Sequence, residues 1–130
     1  MVYNITFCSI LQVILLLYNI GKGGNIRSKR SKACDIPQEV KRKVWERDHH
    51  HCIYCGSPYA MPNAHYLSRG AHGGLGIEEN IVTLCQNCHH NYDNGKSKEV
   101  KEAIKRKIEA HLASKYPNWE NISLTYKKRL

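Results

Sequence analysis

The chain has 130 residues, enough for one small domain with extensions and too few for two ordinary domains. Twenty Lys and Arg stand against eleven Asp and Glu, a formal net charge of +9 at pH 7. That balance disfavours cationic partners and points to a polyanion, with nucleic acid the first choice and an anionic membrane surface the second.

In chain order, residues 1–20, MVYNITFCSILQVILLLYNI, are mostly apolar and approach the length of a membrane span. Asn4, Thr6, Ser9, Gln12 and Asn19 interrupt the run. No Lys or Arg precedes Lys22, so the positive start of a signal peptide is missing, and no clear cleavage site follows. Three readings stay open: an extension from a start codon placed too far upstream, a buried or interfacial helix, and, last, a true span. In the last case the basic stretch KGGNIRSKRSK would hold the remainder on the cytoplasmic side. Residues 21–34, GKGGNIRSKRSKAC, read as a flexible basic arm whose Lys22, Arg27, Lys29, Arg30 and Lys32 are either solvated or set against phosphate.

DIPQEVKRKVWERD carries helix-start chemistry: Asp35 near the cap, Pro37 in the first turn, and Gln38 three residues after Asp35. A short helix is expected there, with Val40 and Val44 on one face and Trp45 beside them. His49, His50 and His51 follow, and because consecutive side chains diverge they read as surface turn residues. Cysteines stand at 8, 34, 52, 55, 85 and 88. Cys52/Cys55 and Cys85/Cys88 are two C-x-x-C pairs with 29 residues between them. Each pair presents two thiolates from one tight turn, so the spacing predicts a four-thiolate structural Zn²⁺ site ahead of disulfides or redox dithiols. Thiolates suit a reducing compartment, hence the cytoplasm. Further on, SKEVKEAIKRKIEAHLASKYP places Val100, Ile104, Ile108 and Leu112 every four residues, which predicts an amphipathic helix ended by Pro117. Trp119, Ile122 and Leu124 of the tail are expected to pack back.

Between the cysteine pairs lies NAHYLSRGAHGGLGIEENIVTL, with no continuous apolar face. His65 falls ten residues after Cys55, at the end of an expected short strand. Asn80 follows 15 residues later, and His89 nine after that, abutting Cys88. If the four cysteines satisfy one ion, His89 and His90 are left over beside a rigid turn, a platform for a second metal with open coordination positions.

AHYLSRGAHGG…EENIVTLCQNCHH resembles the HNH endonuclease family over about residues 35–95, with His65, Asn80 and His89 at the three name-giving positions. The flanking C-x-x-C pairs resemble the zinc-stapled members found in bacteria and their phages. The resemblance implies an α+β fold of the ββα-metal (His-Me finger) type. Two antiparallel strands, a loop and a helix would clasp one divalent ion, stapled by the four-cysteine zinc and flanked by an N-terminal helix and a C-terminal amphipathic helix. The expected organisation is an apolar segment 1–20, an arm 21–34, the nuclease domain 35–95, and a helix with tail 96–130.

The implied activity is metal-dependent hydrolysis of DNA phosphodiester bonds in a bacterial or phage-infected cell, with no small-molecule cofactor. His65 would be the general base and His89 a ligand of a catalytic Mg²⁺, Mn²⁺, Ni²⁺ or Zn²⁺. Asn80 would fix the glycine loop and aim His65. Asp93, one helical turn after His89, would be a second ligand, with His90 a weaker one, and Arg69 would grip phosphate. Small phage-borne members suggest packaging proteins as further partners. One departure stands out: the family places Asp or another ligand immediately before the general base, and here that residue is Ala64. The alternative is therefore a non-catalytic zinc-stapled DNA-binding module. All the chemistry is expected between Cys52 and Asp93, which would make residues 1–20 dispensable for cleavage.

Overall fold

The computed structural model describes residues 26–129; the apolar segment 1–20, residues 21–25 of the arm and Leu130 lie outside the described residues. In chain order the elements are α1 (Lys29–Cys34), α2 (Gln38–Arg47), β1 (Ala60–His65), α3 (Arg69–His72), a 3-10 turn (Glu78–Asn80), β2 (Ile81–Cys85), α4 (Gln86–Asn94), α5 (Lys98–Lys115) and a second 3-10 turn (Trp119–Asn121). β1 and β2 pair antiparallel, and α4 begins directly where β2 ends. This is the ββα unit that the resemblance implies. No helix among the described residues is long and apolar enough to cross a membrane.

β1 pairs Ala60 with Cys85, Met61 with Leu84, Ala64 with Val82 and His65 with Ile81. The register slips between Met61 and Ala64, where β1 carries one more residue than its partner. Pro62 lies in this bulge, where its missing N–H breaks no ladder bond. All five residues of β2 are buried, because α2 and α4 pack against the hairpin and α5 packs on α4. α5 starts at Ser97, whose hydroxyl accepts from Val100 N at 3.3 Å. Ile104, Ile108 and Leu112 are fully buried, each contributing about 1.5–3 kcal/mol of apolar burial. Val100, expected on the same stripe, is exposed because the first turn of α5 overhangs the core. The tail folds back as expected, with Trp119 and Leu124 buried and Trp119 Nε1 donating to Glu79 O at 2.8 Å.

Two local expectations are corrected. Residues 29–34 are a capped helix rather than an irregular arm: the Ser28 hydroxyl accepts from Ser31 N at 3.1 Å. Asp35 does not cap α2; Pro37 occupies that position. The Asp35 carboxylate is instead taken up by Arg27, at 2.6 and 2.7 Å, and by Arg69 at 2.8 Å.

Beneath the sheet lies a buried ionic network that the sequence pattern does not announce. The Asp48 side chain has no exposed surface. It accepts from Arg47 Nε at 2.7 Å, His111 Nε2 at 2.7 Å and Thr83 N at 2.8 Å. Arg47 in turn donates to Glu78 O and Ile81 O, both at 2.7 Å, and to the Tyr116 hydroxyl at 3.0 Å. One carboxylate thus joins α2, β2 and α5, and its guanidinium partner holds the 3-10 turn that ends in Asn80. Burial alone would raise the Asp48 carboxyl, but the bonds from His111 and Arg47, the Arg47 charge and the Thr83 amide hold it down at about 2.

A carboxyl depressed in the native state contributes stability above its unfolded value and loses it as pH falls. Acid unfolding should therefore show an Asp48-dependent component between pH about 4 and about 2. Asp48→Ala strands the buried Arg47 charge and the Thr83 amide and should cost about 3–5 kcal/mol. Urea denaturation of the two proteins at pH 7 and pH 3 checks both statements, and the difference between them should shrink at the lower pH.

Candidate active site and metal centre

The first cysteine turn is tied by Cys52 N to Ser57 O at 2.8 Å and by Gly56 N to Cys52 O at 3.0 Å. Gly56 takes φ +78°, a left-handed conformation that glycine adopts at little cost. The second turn is the start of α4: Cys85 is its N-cap, and its sulfur accepts from Cys88 N at 3.4 Å. The sulfurs of Cys52, Cys55, Cys85 and Cys88 lie within 4.8 Å of one another. A tetrahedral ion with sulfur ligands at about 2.3 Å needs sulfurs about 3.8 Å apart, so the cluster can hold a structural metal such as zinc. The thiols alone are electrostatically frustrated. Backbone amides of Cys55, Cys85 and Tyr54 lower Cys52 to about 7 against the effect of burial. Burial and the neighbouring sulfurs raise Cys88 strongly. A divalent cation removes that conflict by stabilising all four thiolates.

His65 ends β1, half-buried, on the side facing α1. Its Nε2 lies 2.9 Å from Cys34 O. A carbonyl only accepts, so Nε2 carries the proton and Nδ1 keeps its lone pair. Burial lowers the His65 pKa, aided by the charges of Arg69 and His89 and opposed by the Cys34 carbonyl and Asp93. The ring is thus biased toward the neutral, proton-accepting form.

Asn80 is fully buried behind His65. Its Oδ1 accepts from Leu67 N at 2.9 Å, while Nδ2 donates to Leu75 O at 2.9 Å and to Leu67 O at 3.3 Å. The main chain completes the clasp through Tyr66 N to Asn80 O at 2.8 Å. One amide side chain therefore closes the loop between the strands, as a backbone ladder would. Gly74 is required by this closure, because a Cβ there would collide with Leu67 O and stand 2.9 Å from Asn80 Nδ2. Gly76 sits equally tightly against the backbone of Asp35, and its N–H reaches Ala33 O at 3.0 Å.

On α4, His89 Nε2 lies 2.9 Å from Asp93 Oδ2, so the i,i+4 spacing places both on one face, part-exposed. The pair presents one imidazole nitrogen and one carboxylate oxygen on a solvent-facing side. His90, next on the helix, is exposed and does not join the pair. Ala64 is fully buried in the core beside Val82. At this position the chain supplies packing and no ligand. Among the described residues the four cysteines are the one convergent group of three or more metal-binding side chains. Arg69 is engaged by Asp35 rather than free, although its side chain stays 45% exposed toward solvent.

Three residues that touch the candidate site lie outside the stretch from Cys52 to Asp93, where all the chemistry is expected. The Cys34 carbonyl orients His65, Asp35 holds Arg69, and Arg30 Nη2 bonds Arg69 O at 3.1 Å and Gly70 O at 2.9 Å. No residue type signals a backbone carbonyl, so the first had no trace in the sequence.

Residues 52–95 match the HNH endonuclease family model. The chain is 28% identical to anaredoxin of Nostoc sp., over 47% of its own length and 80% of that protein. It is 26% identical to the CRISPR-associated endonuclease Cas9 of Corynebacterium diphtheriae over 55% of its own length. The chain spans only 8% of that Cas9. No solved structure matches. The hairpin running straight into α4, the four converging sulfurs and the family match coincide over residues 52–95, the part of this chain that matches the HNH endonuclease domain.

Proposed function

We propose that the protein is a metal-dependent DNA endonuclease that hydrolyses phosphodiester bonds with His65 as general base. The observation that carries this reading is the state of His65: Nε2 is bound to a backbone carbonyl, and Nδ1 is left as a proton acceptor. In the reaction His65 Nδ1 takes the proton of the water that attacks phosphorus. The carbonyl of Cys34 keeps the ring in aim, and it can stabilise the proton on Nε2 once the ring becomes doubly protonated. Asn80 holds the loop behind the ring, so His65 does not swing when substrate enters. A divalent ion held by His89 and Asp93 would supply charge stabilisation at the phosphoryl oxygens and at the departing 3′ oxygen. With Ala64 offering no ligand, water and substrate phosphate would complete its shell, and His90 is at most a secondary ligand. Arg69, held by Asp35 and partly exposed, would contact a flanking phosphate. The four cysteines would hold Zn²⁺ as a structural ion, which suits a reducing cytoplasm. We read residues 35–95 as the catalytic unit, with α1 and α5 as the elements that brace it. A role beside packaging proteins rests on the resemblance to phage-borne members alone.

Incubation of the purified protein with supercoiled plasmid and Mg²⁺, Mn²⁺ or Ni²⁺ should give metal-dependent nicking or linearisation, abolished by EDTA. An intact plasmid under all three metals, with folded protein, would leave only DNA binding. His65→Ala should slow cleavage by about 10² to 10⁴ while metal content and DNA affinity stay near wild type. His89→Ala should also lose cleavage, but a metal titration should restore part of it. No such restoration is expected for His65→Ala, since metal does not replace a proton acceptor.

The zinc assignment has its own check. Elemental analysis of wild type should return stoichiometric zinc, and Cys85→Ser should lose both the zinc and the folded circular-dichroism spectrum. Folded, active protein free of zinc would refute the assignment.

A further inference from the structure

Beyond Leu124 the chain stays on the domain. Leu75 N donates to Leu124 O and Tyr126 N donates to Gly73 O, both at 2.8 Å, and Gly74 pairs with Thr125 in an antiparallel bridge. This short ladder on the glycine loop carries Lys127, Lys128 and Arg129 alongside α1. There they line an open cleft of about 830 Å³ with Lys29, Arg30 and Tyr126. Among the described residues, five cations and no acidic side chain line it. The neighbouring arginines differ, because Arg27 and Arg69 both pair with the Asp35 carboxylate. Among the described residues none of the five cleft cations makes an ion pair. Like charges gathered without a counter-ion repel one another, and the arrangement is stabilised when a polyanion lies between them.

The cleft is continuous with the reaction centre. Arg30 reaches across to the carbonyls of Arg69 and Gly70 at 3.1 and 2.9 Å. The helix that forms one wall, α1, ends in the carbonyl that holds His65. Loop, tail and α1 thus form one surface running from the general base to Arg129. A concave channel lined by Lys and Arg with one aromatic, Tyr126, suits a charged strand whose phosphates face the cations.

We infer that this cleft binds the phosphodiester backbone of DNA on the glycine-loop side of the cleavage point, with the C-terminal residues Lys127, Lys128 and Arg129 as one wall and Lys29 and Arg30 as the other. Its position relative to cleavage rests on the nuclease reading above; the binding itself does not.

The test uses the full chain and a variant carrying Lys127→Ala, Lys128→Ala and Arg129→Ala, titrated against a fluorescent DNA duplex by anisotropy at several salt concentrations. Each phosphate that the protein no longer neutralises takes about 0.9 off the slope of log affinity on log salt, so the slope should fall by about two to three. Affinity at moderate salt should fall about tenfold or more. Equal circular dichroism and metal content would show that the variant is folded. Lys29→Ala, which disturbs no hydrogen bond of α3, should move affinity in the same direction by a smaller step. Unchanged slope and affinity in the triple variant overturn the inference. So does loss of binding to phosphatidylserine vesicles with DNA binding intact, which would assign the cleft to a lipid surface. If wild type binds with the steeper slope yet cuts nothing, the nuclease reading fails and the cleft stands. If wild type cuts and the triple variant binds and cuts alike, the reverse holds.

Discussion

Four sulfurs brought within 4.8 Å of one another are the constraint on which the remaining geometry depends. They come from two turns at opposite ends of the hairpin connection, one just before β1 and one where β2 becomes α4. Fastening those turns fixes the pairing of Ala60 with Cys85 and sets the first turn of α4 against the sheet. His89 directly follows Cys88 of this cluster, so its position follows from the same tie. His65 lies at the far end of β1, five residues from Ala60. A one-residue slip in that strand would turn it into the core and Ala64 outward. The bulge at Pro62 is where the register is adjusted so that Ala64 points in.

Polar side chains then perform three closures that a core this small could not achieve with apolar contacts. Asn80 closes the loop between the strands, Asp48 joins α2, β2 and α5, and Asp35 joins α1 to α3 through Arg27 and Arg69. Each is satisfied by several partners, the condition under which a buried or half-buried polar group stabilises. There is an electrostatic corollary. Asp35 and Asp48 are engaged by arginines, while the cations of α1 and the tail gather along one cleft. Fold stability and attraction for a polyanion are served by different members of the same arginine and lysine set.

Ala64 shows how the site is shared between packing and chemistry. The residue before the histidine points into the core against Val82, where a carboxylate would need a partner that the surrounding Leu84, Ile108 and Tyr92 cluster does not supply. The neighbouring face of α4 is correspondingly sparse in polar side chains that could serve as ligands, a histidine and an aspartate one helical turn apart. If that pair holds the proposed catalytic ion, its solvent-facing side would leave positions open to water and phosphate.

What the sequence determined by itself were the features encoded locally. Two C-x-x-C turns announce a four-sulfur cluster because each pair is complete within four residues. The α5 stripe is visible because Ile104, Ile108 and Leu112 repeat with the helical period. The order of His65, Asn80 and His89 around a glycine loop was enough to resemble a family, and with it to imply the ββα unit. The basic residues 29–34 could not be told from a loose arm, since six residues hold too little periodicity to declare a helix. What only the tertiary structure decided were partnerships between distant residues and the backbone. His111 finds Asp48 across 63 positions of sequence, and Arg69 finds Asp35 across a helix and the hairpin's first strand. The Cys34 carbonyl that sets the tautomer of His65 belongs to a group every residue carries, so no residue type could mark it. Such ties are made by folding, when burial leaves each charge and each N–H only one place to find a partner.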